Sequence, residues 1–156
     1  MEDVYLQSVF NEYSDMVYRL AYARVKNKYD AEDILQETFV RYMKSKTKPE
    51  SPEHIKALLI KITVNCSKSL LTSAWFKKTA PIEEDIGCEM PENDTLNAVL
   101  SLPLKYRTVI HLHYYCGYSV NEISDILSVN PSTVKSRLLR ARKLLKNKLE
   151  GVEFNV

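Results

Sequence analysis
Side chains able to bind or react are concentrated in a few stretches of this 156-residue sequence. The densest stretch runs from Pro131 to Leu149 and holds Lys135, Arg137, Arg140, Arg142, Lys143, Lys146 and Lys148 without one carboxylate. Ser132, Thr133 and Ser136 add short hydrogen-bonding groups at its start. A run of this kind is either a solvated basic face or a seat for a polyanion. A second polar set, Asp33, Gln36, Glu37 and Arg41, recurs at three- and four-residue steps, which places it on one face of a helix. Taken alone, that stripe reads as a solvated face. A third set, Trp75, Phe76, Lys77 and Lys78, interleaves aromatic and basic groups, as base stacking beside phosphates requires, although the aromatics would equally close a core.

Other chemistry is poorly supplied. His111, His113 and Cys116 suggest a metal, but residues two apart on a helix point to different faces and no second ligand pair stands at zinc-like spacing. No metal site and no cofactor are expected. Three cysteines, Cys66, Cys88 and Cys116, are an odd number without short paired spacing, so no disulfide framework is indicated. Three glycines leave no phosphate-cradling loop. No nucleophile, base and orienting group can be assembled, so no enzyme is expected.

The elements that must hold these side chains follow from apolar periodicity. Phe10, Tyr13, Val17, Leu20 and Ala21 predict a helix over about 9–25. A second helix is predicted from a cap at Asp30, with Asp33 in its first turn and Ile34, Leu35, Phe39, Tyr42 and Met43 as its buried stripe. After a loop at 45–50, Ser51 and Pro52 open a long third helix with Ile55, Leu58, Leu59, Ile62, Cys66 and Leu70 on its apolar face and Asn65 at the margin. Further on, a helix over about Leu104–Cys116 ends at Gly117. Ser119 and Glu122 then form a capping box, Ile123, Ile126 and Leu127 face inward, and Ser128, Val129 and Asn130 make a tight turn. Asn130 and Pro131 begin a last helix that buries Val134, Leu138, Ala141 and Leu145. Two short helices about a tight turn are a helix-turn-helix. The first residues of its second helix reach base edges in a major groove, and the flanking cations hold phosphates.

Charge is segregated along the chain, although 22 basic and 20 acidic residues leave only +2 in total. Residues 1–78 carry +3 and residues 105–156 carry +5, while 79–104 hold six carboxylates and no cation. The stretch from Pro81 to Asp94 has two prolines, a glycine and no helical apolar period, so it reads as a solvated linker. A nucleic-acid mimic covering a basic groove is the alternative. The expectation is an all-α protein of two small helical domains, 1–78 and 95–150, joined by a flexible acidic linker over 79–94. No run approaches the length of a membrane span, and the start, Met1-Glu2-Asp3-Val4, lacks a signal-peptide pattern, so no membrane insertion and a cytoplasmic location are expected.

These residues also carry a resemblance. Leu102-Pro103-Leu104-Lys105-Tyr106-Arg107, Tyr114-Tyr115-Cys116-Gly117-Tyr118-Ser119, Glu122-Ile123 and the run from Thr133 to Arg142 closely resemble the fourth conserved region of bacterial sigma-70 family factors, in the extracytoplasmic function (ECF) subgroup. Phe10, Tyr13, Val17 and Tyr18, the run from Asp30 to Arg41, and Leu59, Ile62 and Asn65 are similar to the second region. The resemblance implies a promoter-specificity subunit of RNA polymerase. Asp33, Gln36, Glu37 and Arg41 would dock on the clamp helices of the polymerase's largest subunit, and region four would meet its flap. The loop from Lys46 to Pro52 and the helix through Asn65 would melt promoter DNA near minus ten, with Lys68, Lys77 and Lys78 on its phosphates. Leu58, Ser69, Thr72 and Ser73 depart from the family, which often has Trp at the first and charged groups after the asparagine. Ser132, Thr133, Lys135, Ser136, Arg137 and Arg140 would read the element near minus thirty-five. An anti-sigma factor is the implied regulator. A stand-alone helix-turn-helix regulator, binding tightly without polymerase, is the alternative.

Overall fold
The computed structural model describes residues 2–45, 51–76 and 94–150; Lys77, Lys78, Cys88, the loop at 46–50 and nearly all of the acidic stretch lie outside them. Among the described residues the elements are all helices, joined by turns and short irregular segments. Backbone contacts divide the chain into two units, Met1–Ile86 and Gly87–Val156.

The first unit packs α1 (Glu2–Val25), α2 (Lys28–Lys44) and α3 (Pro52–Phe76) against one another. Val9, Val17, Phe39, Tyr42 and Leu59 form one buried cluster, and Ala21, Ala31, Ile34 and Cys66 a second beside it. The cap of α2 differs from expectation. Asn27, not Asp30, has the extended cap backbone, and its side chain accepts the Asp30 N–H at 2.9 Å, which leaves Asp30 in the favourable first turn. Both residue types cap well, and only the backbone decides between them. Met43 also leaves the predicted buried stripe: it is 58% exposed, whereas the polar Thr38 is fully buried. One step past Tyr42 turns a helical side chain about 100° toward solvent. At the third helix, Ser51 Oγ accepts the His54 N–H at 3.3 Å, the expected cap ahead of Pro52.

A buried guanidinium joins the end of α1 to the middle of α3. Arg24 is 5% exposed, and its Nε donates to Ser67 Oγ at 2.9 Å, while the same hydroxyl donates to the Val64 carbonyl at 2.7 Å. Ser67→Ala removes one acceptor from a buried cation and should cost about 1.5–3 kcal/mol of stability. Ser69→Ala, which loses an exposed hydroxyl bonded only within its own helix, should cost well under that in the same urea titration.

The second unit holds α4 (Asp94–Leu100), α5 (Leu104–Ile110), a π-helical turn (His111–Tyr115), α6 (Val120–Leu127) and α7 (Pro131–Glu150). Apolar periodicity alone does not predict α4, and it begins at Asp94, the last residue of the expected linker. Val109, Leu112, Ile123, Val134 and Ala141 are fully buried, and α7 packs on α4, α5 and α6. Leu145, expected inside, is half-buried. The predicted single helix to Cys116 widens after Ile110, where Cys116 N–H reaches five residues back to the His111 carbonyl at 3.0 Å. Gly117 follows at φ +80°.

Both bonds of the capping box are made: Glu122 N–H to Ser119 Oγ at 3.2 Å, and Ser119 N–H to Glu122 Oε1 at 2.9 Å. The turn after α6 rests on Ser128 at φ 56°, ψ 45°, a left-handed conformation that strains a side chain. Ser124 Oγ braces it by donating to the Val129 carbonyl at 2.6 Å. Ser128→Gly should therefore stabilise the unit by about 0.5 kcal/mol, strain relief exceeding the added chain entropy. Gly117→Ala should destabilise it by about 1–2 kcal/mol, purely through its backbone, because nothing lies within 4 Å of an added Cβ. Thermal melts of the two variants should shift in opposite directions.

Candidate polymerase-docking and DNA-binding surfaces
On α2, the buried residues Ala31, Ile34, Thr38 and Tyr42 fix the rotation of the helix and put Asp33, Gln36, Glu37 and Arg41 in solvent together. From Asp33 to Arg41 the stripe spans about 12 Å. Arg41 Nε pairs with Glu37 Oε1 at 3.0 Å, and the carboxylate raises the guanidinium's proton affinity further. An exposed pair of this kind is worth only about 0.3–0.5 kcal/mol to the fold. The pair keeps both charges in solvent. Beside the stripe, Leu6, Gln7, Phe10, Phe39 and Met43 line an apolar groove, and Val40 is also exposed. Phe10, expected in the core, is 38% exposed there with its ring edge-on to Phe39 at 4.9 Å.

On α3, Asn65 and Lys68 are exposed, with Lys61, Ser69, Thr72 and Ser73 also in solvent. Cys66, one turn inside them, is buried and its thiol is pushed up by that burial, so it stays protonated.

On α7, burial of Val134, Leu138 and Ala141 leaves Ser132, Lys135, Ser136 and Arg140 exposed and Thr133 and Arg137 half-buried. Asn130 anchors the helix start through its carbonyl, which accepts the Thr133 and Val134 N–H groups at 3.0 and 3.2 Å. A groove of about 310 Å³ brings Ser132, Thr133, Ser136, Arg137 and Arg140 together with Lys105 and Tyr106 of α5. Lys135 does not line it and faces outward beside Leu139, which is 62% exposed. Periodicity misses Lys105, Tyr106 and Leu139: the first two come from another element, and an apolar residue on a basic helix reads as core. Leu139 was nevertheless findable, because it is out of step with Val134, Leu138 and Ala141.

His111 and His113 have other employment. His111 is buried and stacks on Tyr115 at 5.1 Å, and His113 Nδ1 lies 2.8 Å from the Tyr118 carbonyl. Among the described residues no three His, Cys, Asp or Glu side chains cluster as metal ligands, and no helix is long and apolar enough to cross a membrane.

Family models match both units: sigma-70 region 2 over residues 9–77 and sigma-70 region 4 over residues 93–145. The RNA polymerase sigma factor SigV of Bacillus subtilis is 31% identical over 153 residues, covering 92% of this chain and 90% of that one. The chain belongs to the sigma-70 family. Its other relatives place it in the ECF group: SigW of Bacillus subtilis is 28% identical, covering 90% of this chain and 86% of its own, and the sigma-E factor of Haemophilus influenzae is 28% identical, covering 81% and 78%. The fold agrees. The sigma factor RpoE of Bartonella quintana, solved in complex with the anti-sigma factor NepR, superposes with a TM-score of 0.74 at 20% identity over 98% of this chain and all of that one. CnrH, solved in complex with the cytosolic domain of CnrY, gives 0.65 at 20% identity over 95% and 89%. This sigma factor is thus a transcription initiation factor and not an enzyme.

Proposed function
We propose that the two units of this sigma factor divide its work between polymerase docking with minus-ten melting in the first and minus-thirty-five recognition in the second. The boundaries are 1–78 and 95–150, with 79–94 as tether. The observation that carries this reading is the outward stripe of Asp33, Gln36, Glu37 and Arg41, held rigidly by the buried opposite face of α2. It presents two carboxylates and a bidentate donor to the basic and polar surface of a clamp helix. Asn65 and Lys68 on α3 meet the opened strand near minus ten, Asn65 by hydrogen bonds to a flipped base and Lys68 on phosphate. Lys77 and Lys78 complete the set of phosphate contacts in this reading.

In the second unit, Ser132, Thr133, Lys135, Ser136 and Arg140 enter the major groove, and Arg137 with the farther cations holds the backbone. Leu139 adds an apolar contact suited to a thymine methyl group. The sigma factor works in the cytoplasm and is sequestered by an anti-sigma factor, as the complexes of RpoE with NepR and of CnrH with CnrY support for those proteins. Mapping transcription starts after overexpression tests the reading. The induced starts should share one element near minus thirty-five and another near minus ten. Induced starts with a single palindromic element would favour the stand-alone regulator.

A further inference from the structure
The π-helical turn places Tyr114 where neither folding nor base reading requires an aromatic. It is 55% exposed, yet its hydroxyl accepts Arg142 Nε at 2.7 Å across 28 residues, and the guanidinium carbon stands 5.7 Å from its ring centroid. The ring is itself braced by His113, edge-on at 4.8 Å. Along α7, Arg142 lies seven residues beyond Lys135, two turns and about 10 Å farther on the same face. That is where a helix seated in a major groove meets the phosphate backbone.

We propose that Tyr114 is a positioning residue that holds Arg142 as a phosphate clamp beside the recognition site. An exposed arginine samples many rotamers and loses that freedom on binding. The Tyr114 hydroxyl occupies Nε, and the guanidinium carbon stays within cation–π range of the ring. The terminal nitrogens are left as a fork that matches two phosphate oxygens. The wide turn between α5 and α6 sets the hydroxyl within reach, because five-residue bonding rotates Tyr114 away from the position a regular helix would give it.

The inference rests on α7 being the DNA-reading helix, and its test separates the two. The full chain bound to core polymerase is used to enrich a duplex from a random-sequence pool, and affinity for that duplex is measured against salt. Arg142→Ala should weaken binding about tenfold and lower the salt slope by about one. Tyr114→Phe, which keeps the ring and loses the acceptor, should weaken binding about two- to fivefold with the slope unchanged, because the charge remains. In an Arg142→Ala background, Tyr114→Phe should have no further effect. A merely structural role would make the two losses multiply and would lower the melting temperature of Tyr114→Phe, and either result overturns the proposal. An unchanged affinity in Arg142→Ala beside a loss in Lys135→Ala would overturn the clamp and leave the reading helix intact. Failure to enrich any sequence, or no loss in either variant, would overturn the reading itself.

Discussion

Reversing the charge at Asp33 and Glu37 together, to Lys, should abolish assembly with core polymerase while leaving the protein folded. Both side chains stand in solvent on the face of α2 opposite Ile34, Thr38 and Tyr42, so neither substitution touches the core. Glu37→Lys breaks the 3.0 Å pair with Arg41 and sets two cations one turn apart, a loss to the fold of about 0.5 kcal/mol. Against a complementary surface the same changes replace two attractive contacts with like-charge juxtapositions, each costing several kcal/mol. The effects differ by about an order of magnitude, which makes the experiment decisive. Co-elution with core polymerase should be lost at concentrations that saturate the wild type, with the urea midpoint nearly unmoved. Normal assembly by the double variant would remove the docking surface from α2.

The second large effect is expected in α7. Lys135→Ala and Arg140→Ala should each cost about 1–3 kcal/mol of promoter binding and relax preference at one or two base pairs. Lys146→Ala, about three turns beyond Lys135, should weaken all sequences alike and lower the salt slope by about one. The two residues sit differently: Arg140 lines the groove shared with Lys105 and Tyr106, while Lys135 faces outward beside Leu139. They should therefore relax preference at different base pairs. Equal, sequence-independent losses in all three variants would show that the start of α7 does not read bases.

Legibility in the sequence tracked the range of the interaction. The capping box at Ser119 and Glu122, Pro131 at the head of α7 and the four- and three-residue steps from Val134 to Leu138 and Ala141 are rules that act within one or two turns, and each has its counterpart in the fold. The same holds for the outward stripe of α2. Tertiary choices were not legible. Phe10 is apolar and in phase, but α1 and α2 leave a groove beside it that α3 does not fill. Arg24 reads as a surface cation until α3 supplies Ser67 beside it. A π-helical turn has no periodic signature over five residues, so the Tyr114 and Arg142 contact had no sequence signal at all. The roles proposed for Asp33, Glu37 and Asn65 needed the family resemblance, because a solvated stripe and a docking stripe have the same composition.

The central claim is that this chain works as a subunit of RNA polymerase and not alone. Run-off transcription with purified core polymerase, on a template carrying a start mapped in cells, tests it most directly. Adding the chain should yield one discrete transcript from that start, none should form with core alone, and the Asp33→Lys, Glu37→Lys variant should give none. Tight, specific binding to the same template without polymerase, together with no chain-dependent transcript, would contradict the account.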